Sequence, residues 1–202
     1  MSKLPFSYYQ NTDVNAIAID LLGKYLYTSI DGLVTSGIIV ETEAYKGIED
    51  KASHAFGGKY TNRTKVMYEA GGLAYVYLCY GIHHLFNVVT APKGTPHAVL
   101  VRGIEPIEGL DIMLKRRNMA NLKPNITAGP GALAKAMGID RLLDSADLQE
   151  SRIWIEDKGL VFAEGQITAS PRVGVAYAGD HALLPWRYYL KGNKFVSKPN
   201  NV

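Results

Sequence analysis

The residues from Ile38 to Tyr45 read Ile-Ile-Val-Glu-Thr-Glu-Ala-Tyr, a strand-forming run that carries two carboxylates and a tyrosine towards its end. Because alternate side chains of a β-strand point to opposite faces, Glu41, Glu43 and Tyr45 share one face. A carboxylate beside an aromatic ring at the end of a strand indicates a site rather than packing. The competing interpretation is a half-buried strand with solvated glutamates.

Composition narrows the class of protein without choosing a function. The 202 residues, 47% hydrophobic and 20% charged, predict one globular domain over residues 1–202. The net charge of +3 permits a polyanionic partner without requiring one. A single cysteine, Cys79, excludes an internal disulfide and fits a reducing compartment. With no apolar run long enough for a bilayer and no signal-peptide pattern, we expect a cytoplasmic protein without membrane contact.

Periodicity and turn signals predict the elements that position the carboxylates. Asp31-Gly32 favours a tight type I′ hairpin between two strands, and Glu105-Pro106 is expected to break a third. Residues 1–7 and 198–202 are expected to be tails. The predicted elements are helices at 14–22, 107–117 and 130–137, and strands at 25–30, 33–45, 73–80, 83–90, 98–104, 152–156, 160–162, 172–177 and 187–190.

The predicted hairpin of residues 73–90 is the most aromatic part of the chain. Tyr75 and Tyr77 are expected on one face, and Tyr80 at or near the tip. A large aromatic side chain at an exposed tip is hard to explain by core packing, because the core ends there. His83-His84 has no third metal ligand at a familiar spacing, so no zinc site is predicted.

Between the two hairpins, residues 46–72 lose periodicity, and long loops of this kind are often functional. The segment from Lys59 to Lys65 mixes cations with hydroxyl groups, as phosphate-contacting segments do, and includes Thr61 and Arg63. A solvated polar loop is the other interpretation. His54, taken alone, is more typical of a structural histidine.

Two further positions invite a functional interpretation. Arg102 lies in an apolar strand and needs an anionic partner if it is buried, for which Glu43 is the natural candidate. Arg172-Val-Gly-Val175 places a glycine inside a predicted strand. That pattern indicates either a close approach of backbone to a ligand or a β-bulge, and local sequence does not choose between them.

These motifs together resemble the 3-methyladenine DNA glycosylases of the alkyladenine glycosylase type. The resemblance covers most of the chain, and the ordered series is more specific than any single motif. Its distinctive runs are Val40-Glu-Thr-Glu-Ala-Tyr45, Ala52-Ser-His54, Tyr75-Val-Tyr-Leu-Cys-Tyr-Gly81, Asn87-Val88, Val99-Leu-Val-Arg102, Glu105-Pro106, Gly129-Pro130 and Arg172-Val-Gly-Val175.

The resemblance implies a role for each matched position. Glu43 corresponds to the general base, while Arg102 and the Val173 carbonyl correspond to groups that hold the attacking water. Asn87 corresponds to the side chain that discourages normal guanine. The other implied positions are the pocket walls Tyr45, His54 and Tyr77, the intercalating Tyr80, the minor-groove wedge Ile82, and the DNA-backbone contacts Thr61 and Gly174.

The implied protein is a monomeric repair enzyme that acts on double-stranded DNA with alkylated bases and needs no cofactor. The implied fold is a compact mixed α/β domain with a curved antiparallel sheet, flanking helices and a protruding hairpin. The sequence departs from the family pattern at Thr64, Leu85 and Ala132, where asparagine, cysteine and lysine are common. None of these departures touches the predicted chemistry directly.

Two other functions fit parts of the sequence. A sugar hydrolase could use Glu41 and Glu43 as paired carboxylates about 7 Å apart along the strand. A non-catalytic nucleic-acid-binding module would use Tyr80 and the basic loop, and would place no demand on Glu43 or Arg102. Whether Glu41 faces a pocket distinguishes the first alternative from a single-carboxylate enzyme.

Overall fold

The computed structural model describes residues 2–163 and 165–198, which form one antiparallel sheet of nine strands with helices packed against it. The strands are β1 (Ser2–Lys3), β2 (Tyr25–Ile30), β3 (Leu33–Lys46), β4 (Ala74–Cys79), β5 (His83–Thr90), β6 (His97–Glu108), β7 (Ile153–Asp157), β8 (Ile167–Ser170) and β9 (Arg187–Leu190). The α-helices are α1 (Val14–Asp20), α2 (Leu110–Arg117) and α3 (Pro130–Met137). The predicted mixed α/β fold is confirmed.

Strand β3 is the centre of the sheet, whose main order is β1-β7-β2-β3-β6-β5-β4. One edge of β3 pairs with β6, while the other pairs first with β2 and then with β9. Register shifts between Ile39 and Thr42 mark a bulge where β2 gives way to β9. Glu41 and Glu43 are therefore held between β6 and β9.

Helix α1 is tied to β3 on the apolar side of the sheet. The Asp13 carboxylate caps the helix by accepting from the backbone N–H groups of Asn15 and Ala16, at 3.1 and 3.0 Å. Thr42 Oγ1 donates to the Ala18 carbonyl at 2.7 Å. These bonds fix the helix over the strand that carries the two carboxylates.

Both predicted hairpins are present. Asp31 and Gly32 have φ of 53° and 74°, the two left-handed residues that a type I′ turn requires. At the tip of the β4–β5 hairpin, Tyr80 and Gly81 have φ of 50° and 72°. The Tyr80 side chain is 87% exposed, as expected for a residue beyond the core.

The predictions for the N-terminal segment and for Pro106 were wrong. Residues 2–7 are not a tail, because β1 pairs with β7 and the 3₁₀ helix Phe6–Gln10 buries Tyr9; residue 1 lies outside the described residues. Pro106 does not end β6, which continues to Glu108, so α2 begins at Leu110 rather than Ile107. Pro106 is tolerated because it lies opposite Gly37 next to a register shift, beyond the part of β6 that pairs with β5. Residues 199–202 of the predicted C-terminal tail lie outside the described residues.

The last third of the chain differs most from prediction. Residues 160–162 form no strand, whereas the unpredicted β8 pairs with β9. Residues 172–177 form a turn that enters the 3₁₀ segment Ala176–Leu183, and Gly174 has φ of 75°. Glycine is needed there for a left-handed turn rather than inside a strand. Across the described residues, no helix combines the length and apolarity required to cross a membrane.

The cap of α1 predicts a measurable stability effect. Asp13→Ala removes the acceptor for two helix N–H groups and should lower the free energy of unfolding by about 1 kcal/mol. Asp13→Asn keeps a capping oxygen and should cost less than half of that. Urea unfolding followed by circular dichroism tests both variants, and equal losses would show that the cap contributes nothing specific.

Candidate active site

A small cavity opens where β3, β4, β5 and the loop after β3 meet. It encloses about 40 Å³, room for a few water molecules but not for a purine. Most of its walls are aromatic or amphipathic. The lining residues are Tyr45, Ala52, Ser53, His54, Met67, Tyr75, Tyr77, Asn87, Ala98 and Tyr177. All four predicted pocket residues are therefore brought together in one cavity.

Tyr77 and His54 form one aromatic corner of this cavity. Their rings lie edge to face with centroids 4.7 Å apart. The Asn87 amide donates to the Tyr75 carbonyl at 3.1 Å, a bond between neighbouring strands that fixes the side chain. The pocket walls are thus held by contacts within the protein.

His54 is neutral at pH 7. Burial, with a smaller contribution from the Arg63 cation, lowers the pKa of His54 to about 4. Arg63 Nη2 lies 3.1 Å from His54 Nε2, and a guanidinium can only donate. The imidazole proton is therefore on Nδ1, 2.7 Å from the Tyr75 hydroxyl. Both ring nitrogens of His54 are occupied by protein partners.

Glu43 is completely buried and lies behind Tyr45 rather than in the cavity lining. Its Oε2 accepts from the Tyr45 hydroxyl at 2.7 Å. Its Oε1 accepts from the Val173 N–H at 2.8 Å and lies 3.2 Å from Arg102 Nη1. An ionised carboxylate has about four acceptor positions, so these three donors leave one available. The predicted pairing of Glu43 with Arg102 is present.

The Glu41 carboxylate accepts four hydrogen bonds, all of them from protein donors. Its Oε1 accepts from Arg102 Nε at 2.8 Å, Arg187 Nε at 2.7 Å and Ser197 Oγ at 2.8 Å. Its Oε2 accepts from the Ser197 N–H at 2.6 Å. Although burial alone raises the pKa of Glu41, Arg102, Arg187 and Ser197 outweigh burial and hold that pKa below its usual value. Neither glutamate is solvated, so the half-buried-strand interpretation was wrong.

A buried ion pair holds the turn that reaches Glu43. The Arg172 guanidinium bonds the Asp50 carboxylate through both terminal nitrogens, with Nη2 to Oδ1 at 2.8 Å. It also donates to the Ala44 carbonyl at 2.9 Å and lies over the Tyr45 ring at 4.8 Å. Because Arg172 precedes Val173, these contacts place the Val173 N–H against Glu43.

The predicted DNA-contacting residues all lie on the surface. Ile82 is 71% exposed beside Tyr80 at the hairpin tip, and Thr61, Arg63 and Gly174 are exposed on loops. Although Arg63 is exposed, its guanidinium contacts the Tyr77 ring, with 4.6 Å between the guanidinium carbon and the ring centroid. The space above Gly174 is open, because an added Cβ would meet no atom within 4 Å.

Several residues of the site were missed by sequence reasoning. Tyr177 lines the cavity and donates to the Ala52 carbonyl at 3.0 Å, although its segment was predicted to be a strand. Arg172 was visible only as part of a motif, and Asp50, Arg187 and Ser197 gave no local signal. In the described part of the chain, no group of three or more His, Cys, Asp or Glu side chains could hold a metal ion.

Comparison with known proteins identifies relatives across nearly the whole chain. The family model described as methylpurine-DNA glycosylase matches residues 7–194. A protein of Bacillus cereus (strain ZK / E33L), named "Putative 3-methyladenine DNA glycosylase", is 45% identical over 204 aligned positions, covering 97% of this chain and 99% of its own length. A protein of the same name from Bacillus thuringiensis (strain Al Hakam) is 46% identical with the same coverage. The resemblance inferred from the motifs is confirmed.

The saturated environment of Glu41 predicts a pH-dependent loss of stability. Glu41→Gln leaves Arg102 and Arg187 without their shared anion, and should lower the free energy of unfolding by roughly 3 kcal/mol at pH 7. Because the folded-state pKa of Glu41 is depressed, its contribution is present above the unfolded value and is lost as pH falls through the folded value. The difference between wild type and variant should therefore shrink at acidic pH.

Urea unfolding at several pH values measures this difference. Glu150→Gln, which neutralises an exposed carboxylate, serves as the control and should change stability by less than about 0.5 kcal/mol. A Glu41→Gln effect that stays constant as the pH falls would contradict the charged role of Glu41.

Proposed function

Because the chain belongs to the methylpurine-DNA glycosylase family and is therefore a DNA glycosylase, we propose that it removes 3-methyladenine and 7-methylguanine from duplex DNA. Glu43 activates a water molecule that attacks the sugar carbon. The purine leaves, and an abasic site remains in an intact strand. The reaction requires no Schiff-base lysine, so borohydride traps no covalent adduct.

The observation that carries this proposal is the environment of Glu43. Cleavage of an N-glycosidic bond passes through a state with positive charge on the sugar, which a nearby carboxylate offsets while it takes a proton from water. The free acceptor position of Glu43 is available to that water. Arg102 and the Val173 carbonyl are its other proposed partners, and the Val173 N–H bond to Glu43 already places this residue beside the carboxylate.

The aromatic walls support the choice of substrate. A purine alkylated on N3 or N7 carries positive charge, so it leaves readily and is attracted to aromatic faces by about 0.5 to 2 kcal/mol each. Tyr45 and Tyr77 line the cavity and provide these faces. Asn87 lines the same cavity, and its proposed role is to discourage normal guanine by meeting the exocyclic amine; the bond from its amide to the Tyr75 carbonyl supports a fixed orientation.

The exposed hairpin supports a base-flipping step. A base inside a duplex cannot reach a catalytic group, so it must be extruded at a cost of a few kcal/mol. Tyr80 at the tip fills the space that the base leaves, and Ile82 wedges into the minor groove. Since the cavity is too small for a purine, side chains at its mouth must move when the base enters.

The arrangement favours one catalytic carboxylate over a pair. Glu43 is hydrogen-bonded to Tyr45, which lines the cavity, whereas none of the hydrogen-bond partners of Glu41 does. A paired-carboxylate sugar hydrolase would require Glu41 to reach the scissile bond. The proposed enzyme acts as a monomer, and the DNA substrate named for bacterial relatives supports a cytoplasmic location.

Substitution of the proposed base tests the reaction. Glu43→Gln keeps the shape of the side chain but cannot accept a proton, so single-turnover release of 7-methylguanine should fall at least 100-fold. The measurement is chromatographic detection of free base from alkylated duplex DNA. Glu108→Gln, an exposed carboxylate of the same sheet, is the control and should retain wild-type activity.

Equal base release by Glu43→Gln and wild type would show that Glu43 is not the base. If wild type itself binds alkylated DNA but releases no base, the non-catalytic binding module becomes the better interpretation.

Removal of the hairpin aromatic tests base flipping. Tyr80→Ala should weaken capture of a lesion in a fully paired duplex by about tenfold, because nothing fills the vacated space. The effect should be much smaller for a lesion in a single-stranded gap, where the base is already unstacked. Single-turnover kinetics on both substrates measure this difference, and equal losses on both would exclude an intercalating role.

A further inference from the structure

The cavity must widen before a purine can enter, and Tyr177 is the wall that can yield with the least loss of packing. The cavity encloses about 40 Å³. All its other lining residues are buried or half-buried, whereas Tyr177 is 70% exposed. A side chain that lines a cavity and is also largely exposed lies at the rim, on the boundary with solvent. Moving a rim residue breaks fewer contacts than moving a buried one.

The Tyr177 ring is held in place by one hydrogen bond. Its hydroxyl group donates to the Ala52 carbonyl at 3.0 Å. Among the described residues, no stacked or edge-to-face ring pair and no cation–π contact involves Tyr177. Displacement of the ring therefore requires this hydrogen bond to break, and a neutral hydrogen bond has a modest net strength.

The backbone that carries Tyr177 is fixed. Val175 and Ala178 on either side of it are 4% and 1% exposed, and the Ala178 N–H donates to the Val175 carbonyl at 2.9 Å. Earlier in the same turn, Arg172 is bound to the buried Asp50. The ring can thus change its rotamer while the segment stays in place, and exposed side chains make such changes within picoseconds to nanoseconds.

A ring at the rim has two effects on an entering base, and they have opposite signs. The hydrogen bond to Ala52 opposes entry, because it must break before the cavity widens. Once a purine is inside, the ring can close on it and add an aromatic contact, which favours binding of any base. The hydroxyl group and the ring of Tyr177 therefore act against each other.

We propose that Tyr177 is a movable wall of the base pocket, which turns aside to admit an extruded purine and then closes on it. Tyr177 is thus a substrate-contacting residue in addition to Tyr45 and Tyr77. This inference rests on the proposed function, because it assumes that the extruded base enters this cavity.

The test separates the hydroxyl group from the ring. Tyr177→Phe removes only the hydrogen bond, and Tyr177→Ala removes the ring as well. Fluorescence anisotropy measures the affinity of each variant for two duplexes that differ at one nucleotide, which is either 2′-fluoro-7-methylguanosine or normal deoxyguanosine. The fluorine prevents cleavage of the glycosidic bond. The ratio of the two affinities, damaged over normal, cancels contacts to the DNA backbone.

We expect Tyr177→Phe to raise this ratio about two- to tenfold, since one neutral hydrogen bond no longer opposes entry. The ratio for Tyr177→Ala should lie at least about fivefold below that for Tyr177→Phe, because the contact with the base is lost. The matched controls are Tyr60→Phe and Leu183→Ala, which alter exposed side chains that do not line the cavity. Both controls should keep the wild-type ratio.

Two results would overturn the inference. A ratio for Tyr177→Phe at or below that of wild type would show that the hydrogen bond does not oppose entry. Equal ratios for Tyr177→Ala and Tyr177→Phe would show that the ring does not contact the base.

Release of 7-methylguanine by wild type from a duplex without fluorine tests the proposed function separately. If the base is released and either of those two results is found, only the role of Tyr177 fails. If wild type neither releases the base nor prefers the damaged duplex, the proposed function fails and the role of Tyr177 fails with it.

Discussion

The buried cluster of Glu41, Glu43, Arg102 and Arg187 is the interaction on which the rest of the structure depends. Two carboxylates inside a protein are tolerated only when cations and hydrogen-bond donors surround them. Here the two arginines balance the two negative charges, and Arg102 is shared by both glutamates. Glu41 is completely saturated, whereas Glu43 keeps one acceptor position. Glu41 thus orients Arg102, while the free acceptor position of Glu43 is what its proposed role as general base requires.

The strands that pair with β3 position the partners of the two glutamates. The bulge between Ile39 and Thr42 lets β9 replace β2 along one edge, which brings Arg187 opposite Glu43 and beside Glu41. The turn before the 3₁₀ segment Ala176–Leu183 then reaches Glu43 from outside the sheet through Val173. Arg172 and Asp50 hold that turn without adding net charge. Each contact to the cluster comes from an element that is itself anchored elsewhere in the core.

Local sequence predicted the features that depend on neighbouring residues: strand alternation placed Glu41 and Glu43 on one face, and Asp31-Gly32 gave the correct turn. The distant pair of Glu43 and Arg102 was predicted only because a buried cation in an apolar strand needs an anion. Other distant contacts left no such signal, since Arg172 and Asp50 are 122 positions apart and Ser197 and Glu41 are 156 apart. Pro106 was misread because the effect of its missing N–H depends on whether a neighbouring strand needs a donor at that position. The family was recognised from ordered motifs rather than from periodicity, and the roles of the individual site residues stay predictions.

The position of Ser197 in the cluster also has a consequence for how the protein is made. Strand β3 leaves the ribosome long before β9 and Ser197 do, so during synthesis Glu41 has neither Arg187 nor Ser197 as a partner. An incompletely paired carboxylate opposes burial of the strand that carries it, and closure of the central sheet must wait for residues from the far end of the chain. Glu41 therefore gains its full set of partners only when the C-terminal residues are available.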